Sequence, residues 1–109
     1  MNTSIAQTIK NQCTVMGLAT VGAHHFKNLE RGLSFHARIL PLTSEGRRGQ
    51  YPMNMIVTIT LNFEDLYDVR VEYDRTLHYS GCDFYFDQLP KLLLALDYDG
   101  PETLNPRYA

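Results

Sequence analysis

Hydrophobic and polar positions alternate most clearly between residues 53 and 74. Met53, Met55, Val57, Ile59 and Leu61 fall on one side of an extended chain, and Asn54, Thr58 and Thr60 on the other. After the connection at residues 62–66, Tyr67, Val69, Val71 and Tyr73 point one way and Asp68, Arg70, Glu72 and Asp74 the other. Period-two patterning on both sides of a short connection predicts an antiparallel hairpin with one wet face. The charged outer row of the second strand predicts that this strand is an exposed edge. Asn62 and Asp65 fit a helical turn in the connection. Leu33, Phe35, Ala37 and Ile39 alternate with Ser34, His36 and Arg38, which predicts a further half-buried strand ended by Pro41.

Helical spacing brackets these strands. Ile5, Ile9, Cys13 and Met16 share one face of a helix from Ser4 to Met16, with Ser4 and Gln7 placed as a capping box and Gly17 as its stop. Leu18–Gly22 is β-compatible, and His24–Asn28 reads as a loop. A turn is expected near Ser80-Gly81, with one more short strand. Asp87 is then read as the cap of a second helix that has Pro90 in its first turn and Leu89, Leu92, Leu93 and Leu96 on one face. The expected fold is α+β: an N-terminal helix, an antiparallel sheet of three to five strands, and a C-terminal helix packed on the sheet. Residues 1–101 make one domain and 102–109 a loose tail.

Composition narrows the function classes. The 109 residues are 44% hydrophobic and 20% charged, within the range of a globular domain. The opening residues lack the basic and apolar regions of a signal peptide, and no apolar run is long enough to span a bilayer. A cytoplasmic protein with reduced Cys13 and Cys82 is therefore expected, with no membrane partner. The net charge of −2 hides an uneven distribution: residues 1–62 carry six basic and two acidic side chains, and residues 63–109 four and ten. That balance disfavours a simple nucleic-acid binder.

No sequence motif fixes catalytic geometry, so no catalytic residue, cofactor or enzymatic activity is assigned. His24, His25, His36 and His78 could each pair with a carboxylate, but nothing places them. His24-His25 gives no ready metal chelate, because adjacent residues project differently in regular structure, and no metal is assigned. Cys82 beside Asp83 is a poor nucleophile, and Cys13 reads as core. Arg47-Arg48, flanked by glycines in the connection 43–52, is the one basic pair that could meet phosphate. Glu64, Asp65, Asp68, Glu72, Asp74 and Tyr79 form the candidate partner surface, since carboxylates interleaved with tyrosines suit a basic protein groove. Edge protection by charge competes with that reading.

The chain resembles a family of small uncharacterised proteins encoded by phages, prophages and mobile elements. The likeness lies in the opening residues 1–9, the strand Gly32–Phe35, residues 59–62 followed by 65–69, and residues 85–89. It implies a genetic setting and no chemistry. In that setting, small accessory proteins act by binding a host protein, and inhibitors of anti-CRISPR or anti-restriction type are one class. The expectation is a non-enzymatic protein that binds a host protein, such as a nucleic-acid-binding effector, in the host cytoplasm; a homodimer is left open. Charge reversal at Glu72 and Asp74 would then abolish partner capture. The alternative is a nucleic-acid-associated protein using Arg47 and Arg48.

Overall fold

The computed structural model describes residues 4–39 and 53–97, with side chains as far as residue 93. Two helices, α1 (Ile5–Cys13) and α2 (Val15–Thr20), precede five strands: β1 (His24–Leu29), β2 (Gly32–Ile39), β3 (Met53–Leu61), β4 (Tyr67–Tyr73) and β5 (Thr76–Phe84). A 3₁₀ turn, Phe86–Gln88, leads into α3 (Leu89–Asp97). The strands form one antiparallel sheet whose spatial order is the chain order. The fold is α+β, as the patterning predicts.

Ser4 starts α1 by accepting the Gln7 N–H on its hydroxyl at 3.0 Å. The second arm of the expected box is missing, because the Gln7 amide donates to Asn11 one turn on. Ala6, Ile9 and Cys13 are buried against the sheet. The predicted continuation to Met16 fails at Thr14, whose φ of 70° and ψ of 155° break the helix. The Thr14 hydroxyl then accepts the Gly17 N–H at 3.0 Å and caps a new helix. Met16 is turned into solvent as a result. Gly17 lies inside α2 instead of stopping α1, and most of the stretch read as β-compatible is helical.

The hairpin is as predicted. Val57 faces Val71, Ile59 faces Val69 and Leu61 faces Tyr67 across β3 and β4, and all but Leu61 are buried. Burying each such side chain contributes roughly 1.5–3 kcal/mol. β2 supplies the neighbouring row, with Leu33, Phe35, Ala37 and Ile39 inward. From α3, Leu89, Leu92 and Leu93 join this core; Leu96 lies outside the described side chains. Tyr73 ends the inner row in solvent.

Four expectations change. Residues read as the loop His24–Asn28 are the edge strand β1, whose side chains are mostly exposed and therefore do not alternate in hydrophobicity. The turn after β4 falls at Asp74 and Arg75, both with positive φ, while Ser80-Gly81 is inside β5. Asp87 does not cap the last helix; the chain bends at Tyr85, whose N–H donates to the Gln88 side chain at 2.7 Å. Lastly, β4 is not an edge: β3 and β5 pair with it on either side. Among the described residues the edges are β1 and β5; one register irregularity interrupts the pairing of β1 and two interrupt that of β5. Such bulges discourage pairing with another chain.

The helices cover one face of the sheet. The other presents Ser34, His36, Thr58, Arg70, Glu72 and Ser80, all partly or fully exposed. No helix among the described residues is long and apolar enough to cross a membrane. Pro41, the connection 43–52 and the expected tail 102–109 lie outside the described residues.

Candidate functional site

Asn62, at the end of β3, organises the end of the sheet where the candidate carboxylates gather. Its side-chain oxygen accepts the backbone N–H groups of Glu64 at 2.8 Å and Leu66 at 3.2 Å. Its amide nitrogen donates to Asp68 at 3.0 Å and to Asp83 at 2.9 Å. The Asp65 N–H donates to the Asn62 carbonyl, closing a single tight turn where the sequence predicts a helical turn, and Asp65 leaves it with a φ of 63°. One side chain thus closes the turn and holds two carboxylates together.

Asp83 reaches this point because β5 is irregular opposite Asp68. The ladder shifts between Tyr67 and Val69, Asp83 takes a φ of 61°, and its N–H donates to Asp68 at 3.2 Å. Cys82 completes a set in which the ligand atoms of Asp68, Cys82 and Asp83 lie within 4.8 Å of one another. Asn62 and the Asp83 N–H already supply donors to these carboxylates, which accounts for their closeness without an ion.

Beyond this knot the turn projects Phe63, 97% exposed, with Glu64 and Asp65 exposed beside it. Arg31, from the β1–β2 turn, braces the same end. Its Nε–H donates to the Leu61 carbonyl at 3.2 Å, and its guanidinium lies 5.8 Å from the Phe63 ring centre. Phe63 is missing from the sequence-derived set, because an aromatic in a loop carries no period that marks it as exposed.

The other predicted residues do not join this cluster. Glu72 is ion-paired with Arg70 at 2.7 Å on the wet face. Asp74 is in the β4–β5 turn, six residues from Asp68 and so roughly 20 Å further along the strand. Tyr79 is 7% exposed on the core face of β5 and belongs to the hydrophobic core, which removes it from any partner surface. Arg47 and Arg48 lie outside the described residues.

Three of the four histidines converge where none was expected. The rings of His24, His25 and His36 are mutual neighbours on the wet face at the β1 edge. His78 is separate, beside the Tyr73 ring. Cys13 and Cys82 are both free thiols, the first buried and the second exposed.

Comparison of the chain with family models, curated proteins and solved structures found no match in any of the three.

Proposed function

We propose that this protein is a non-enzymatic binding protein whose Asn62–Leu66 end docks on a basic protein surface. The observation that carries the reading is Phe63, almost wholly exposed on a turn that hydrogen bonds hold in shape, with Glu64 and Asp65 exposed beside it and Asp68 and Asp83 held together by the preceding Asn62. An aromatic anchor inside a charged rim suits protein recognition: the ring supplies contact area, and the carboxylates steer encounter and select against acidic surfaces. Because Asn62 sets the turn in advance, little ordering is needed on binding.

Grooves that hold nucleic acid are basic, so a nucleic-acid-binding protein is the class of partner this surface favours. The likeness to phage and mobile-element proteins supports a host effector, with inhibition of a defence system as the consequence of occupying its groove.

The test is capture of host-lysate proteins on the immobilised full chain, with three variants in parallel. A protein retained by the wild type, released by raised salt, lost with Phe63→Ser and with Asp65→Lys, and kept with Glu72→Lys is the expected outcome. Retention by both turn variants, or failure of the wild type to retain any protein, would overturn the reading. Phe63 is exposed, so its change should cost the fold no more than about 0.5 kcal/mol, whereas Asp65 holds a φ of 63° and lysine there should cost about 1 kcal/mol, so circular dichroism checks that both variants are folded.

A further inference from the structure

We propose that His24, His25 and His36 form a three-imidazole site for a divalent transition metal of the Zn²⁺ class. The site begins with an irregularity in the edge strand. His24 lies opposite His36 and Lys27 opposite Ser34, so three steps along β1 match two along β2. The extra residue falls within His25–Phe26, and His25 has a φ of 56°. Such a bulge sets two successive side chains on the same side of the sheet. Here it brings His25 beside His24 and sends Phe26 to the opposite face, where its ring lies 5.5 Å from that of Phe35.

The spacing suits a common ion. The ring centres of His24 and His25 are 4.8 Å apart, those of His25 and His36 5.3 Å, and those of His24 and His36 5.6 Å. A triangle with these sides has its centre about 3.0 Å from each ring centre. An imidazole bound at about 2.0–2.1 Å through one nitrogen has its ring centre roughly 3.2 Å from the metal. An ion close to the middle of the triangle therefore meets all three rings at bonding distance once their nitrogens turn inward. The ring nitrogens are not gathered to ligand spacing as the side chains stand, so an ion would draw them inward by rotation about side-chain bonds.

One surrounding hydrogen bond already orients its ring as metal-binding histidines are oriented, and a second would do so after an amide flip. His24 Nδ1 lies 2.8 Å from the Gly22 carbonyl, which accepts its proton and leaves Nε2 as the free lone pair. His36 Nδ1 lies 3.2 Å from the Asn54 amide nitrogen, an arrangement that makes Nδ1 the acceptor and keeps the proton on Nε2. Rotating that amide by half a turn offers its oxygen to a proton on Nδ1 instead and frees Nε2 in the same way. Lys27 and Arg38, the cations nearest in register, are exposed and can extend into solvent.

Three neutral imidazoles select Zn²⁺, Ni²⁺ or Cu²⁺ over Mg²⁺ and Ca²⁺, which prefer oxygen ligands. With three protein ligands, a tetrahedral ion retains one position for water or for a donor from a partner. Because the ligands come from both β1 and β2, the ion would also staple the edge strand to the sheet.

The test uses the full chain without a histidine tag, titrated with Zn²⁺ in a calorimeter and melted with and without the ion. One ion per chain and a raised melting temperature are expected. His25→Asn, which tolerates the left-handed backbone, and His36→Gln should each weaken binding at least about tenfold. His78→Gln should leave it unchanged. Circular dichroism establishes that each variant is folded, and His25→Asn, on the exposed bulge, gives an independent reading should His36→Gln fail to fold. Absence of one-to-one uptake, equal affinity in His25→Asn, or equal weakening by His78→Gln would overturn the site.

Discussion

Gly32 shows how little freedom single residues have in this sheet. A Cβ built there would lie 2.3 Å from the Ile59 carbonyl oxygen and 3.0 Å from the Thr60 Cα, which are backbone atoms of a paired central strand. Gly81 is different in kind, since its nearest obstacles are the Phe84 ring and the Tyr79 hydroxyl, side-chain atoms that can shift. Gly32→Ala should therefore cost about 3 kcal/mol or more and Gly81→Ala about 1 kcal/mol, measured as urea unfolding midpoints. Equal costs would mean that β3 gives way as readily as a side chain. The same contacts explain why Gly81 resembles a turn residue in the sequence without being one. It is small because two aromatic side chains crowd it, whereas the turn proper uses Asp74 and Arg75 at φ of 52° and 68°. That turn lacks the Asn-Gly or Asp-Gly pair that advertises positive φ at both central positions.

Among the elements, the β3–β4 hairpin joins the most legible part of the sequence to the least legible. Its two inner rows follow from alternation alone. The connection depends on Asn62, whose four side-chain hydrogen bonds reach Glu64, Leu66, Asp68 and Asp83. Asn62→Asp keeps the two acceptor bonds and replaces two donor bonds with a third carboxylate beside Asp68 and Asp83. We expect a loss of about 2 kcal/mol at neutral pH, recovered in part on acidification as carboxylates protonate. Denaturant titrations at both pH values measure it, and a pH-independent loss would show that charge is not the cause. Asn62 and Asp68 were readable as neighbours across a predicted hairpin. Asp83 was not, because its place depends on an irregularity in a strand that sequence periodicity does not reveal.

For the whole molecule, the consequence of burying one sheet face under the helices is clearest at Cys13. Burial pushes its thiol up from the ordinary 9.0 to about 12. Tyr67, whose hydroxyl donates to Gln12 at 2.6 Å, is also raised, chiefly by burial and then by the charge Cys13 would carry. A raised folded-state value means that the unfolded chain loses its proton first. Stability contributed by the neutral thiol is complete below about pH 9 and falls as pH rises toward about 12. Cys13→Ala should lower stability at neutral pH yet flatten this alkaline decline, as read from melting temperatures across that range. An unchanged slope would exclude Cys13 as its source. In the native protein at neutral pH, a thiol reagent should modify Cys82 and leave Cys13 intact.

Local chemistry determined the inward rows of β2, β3 and β4, the start of α1 and the apolar face of α3, because alternation and helical spacing are properties of adjacent residues. Tertiary structure alone decided that β4 is central, that α1 breaks at Thr14, that Tyr79 is core, and that Asp83 meets Asp68. It also decided the meeting of His24 and His25 with His36. Adjacent side chains diverge in a regular strand, and only pairing against β2 with one residue in excess turns both to the same face. That excess is a property of two strands together, so neither strand's sequence reveals it.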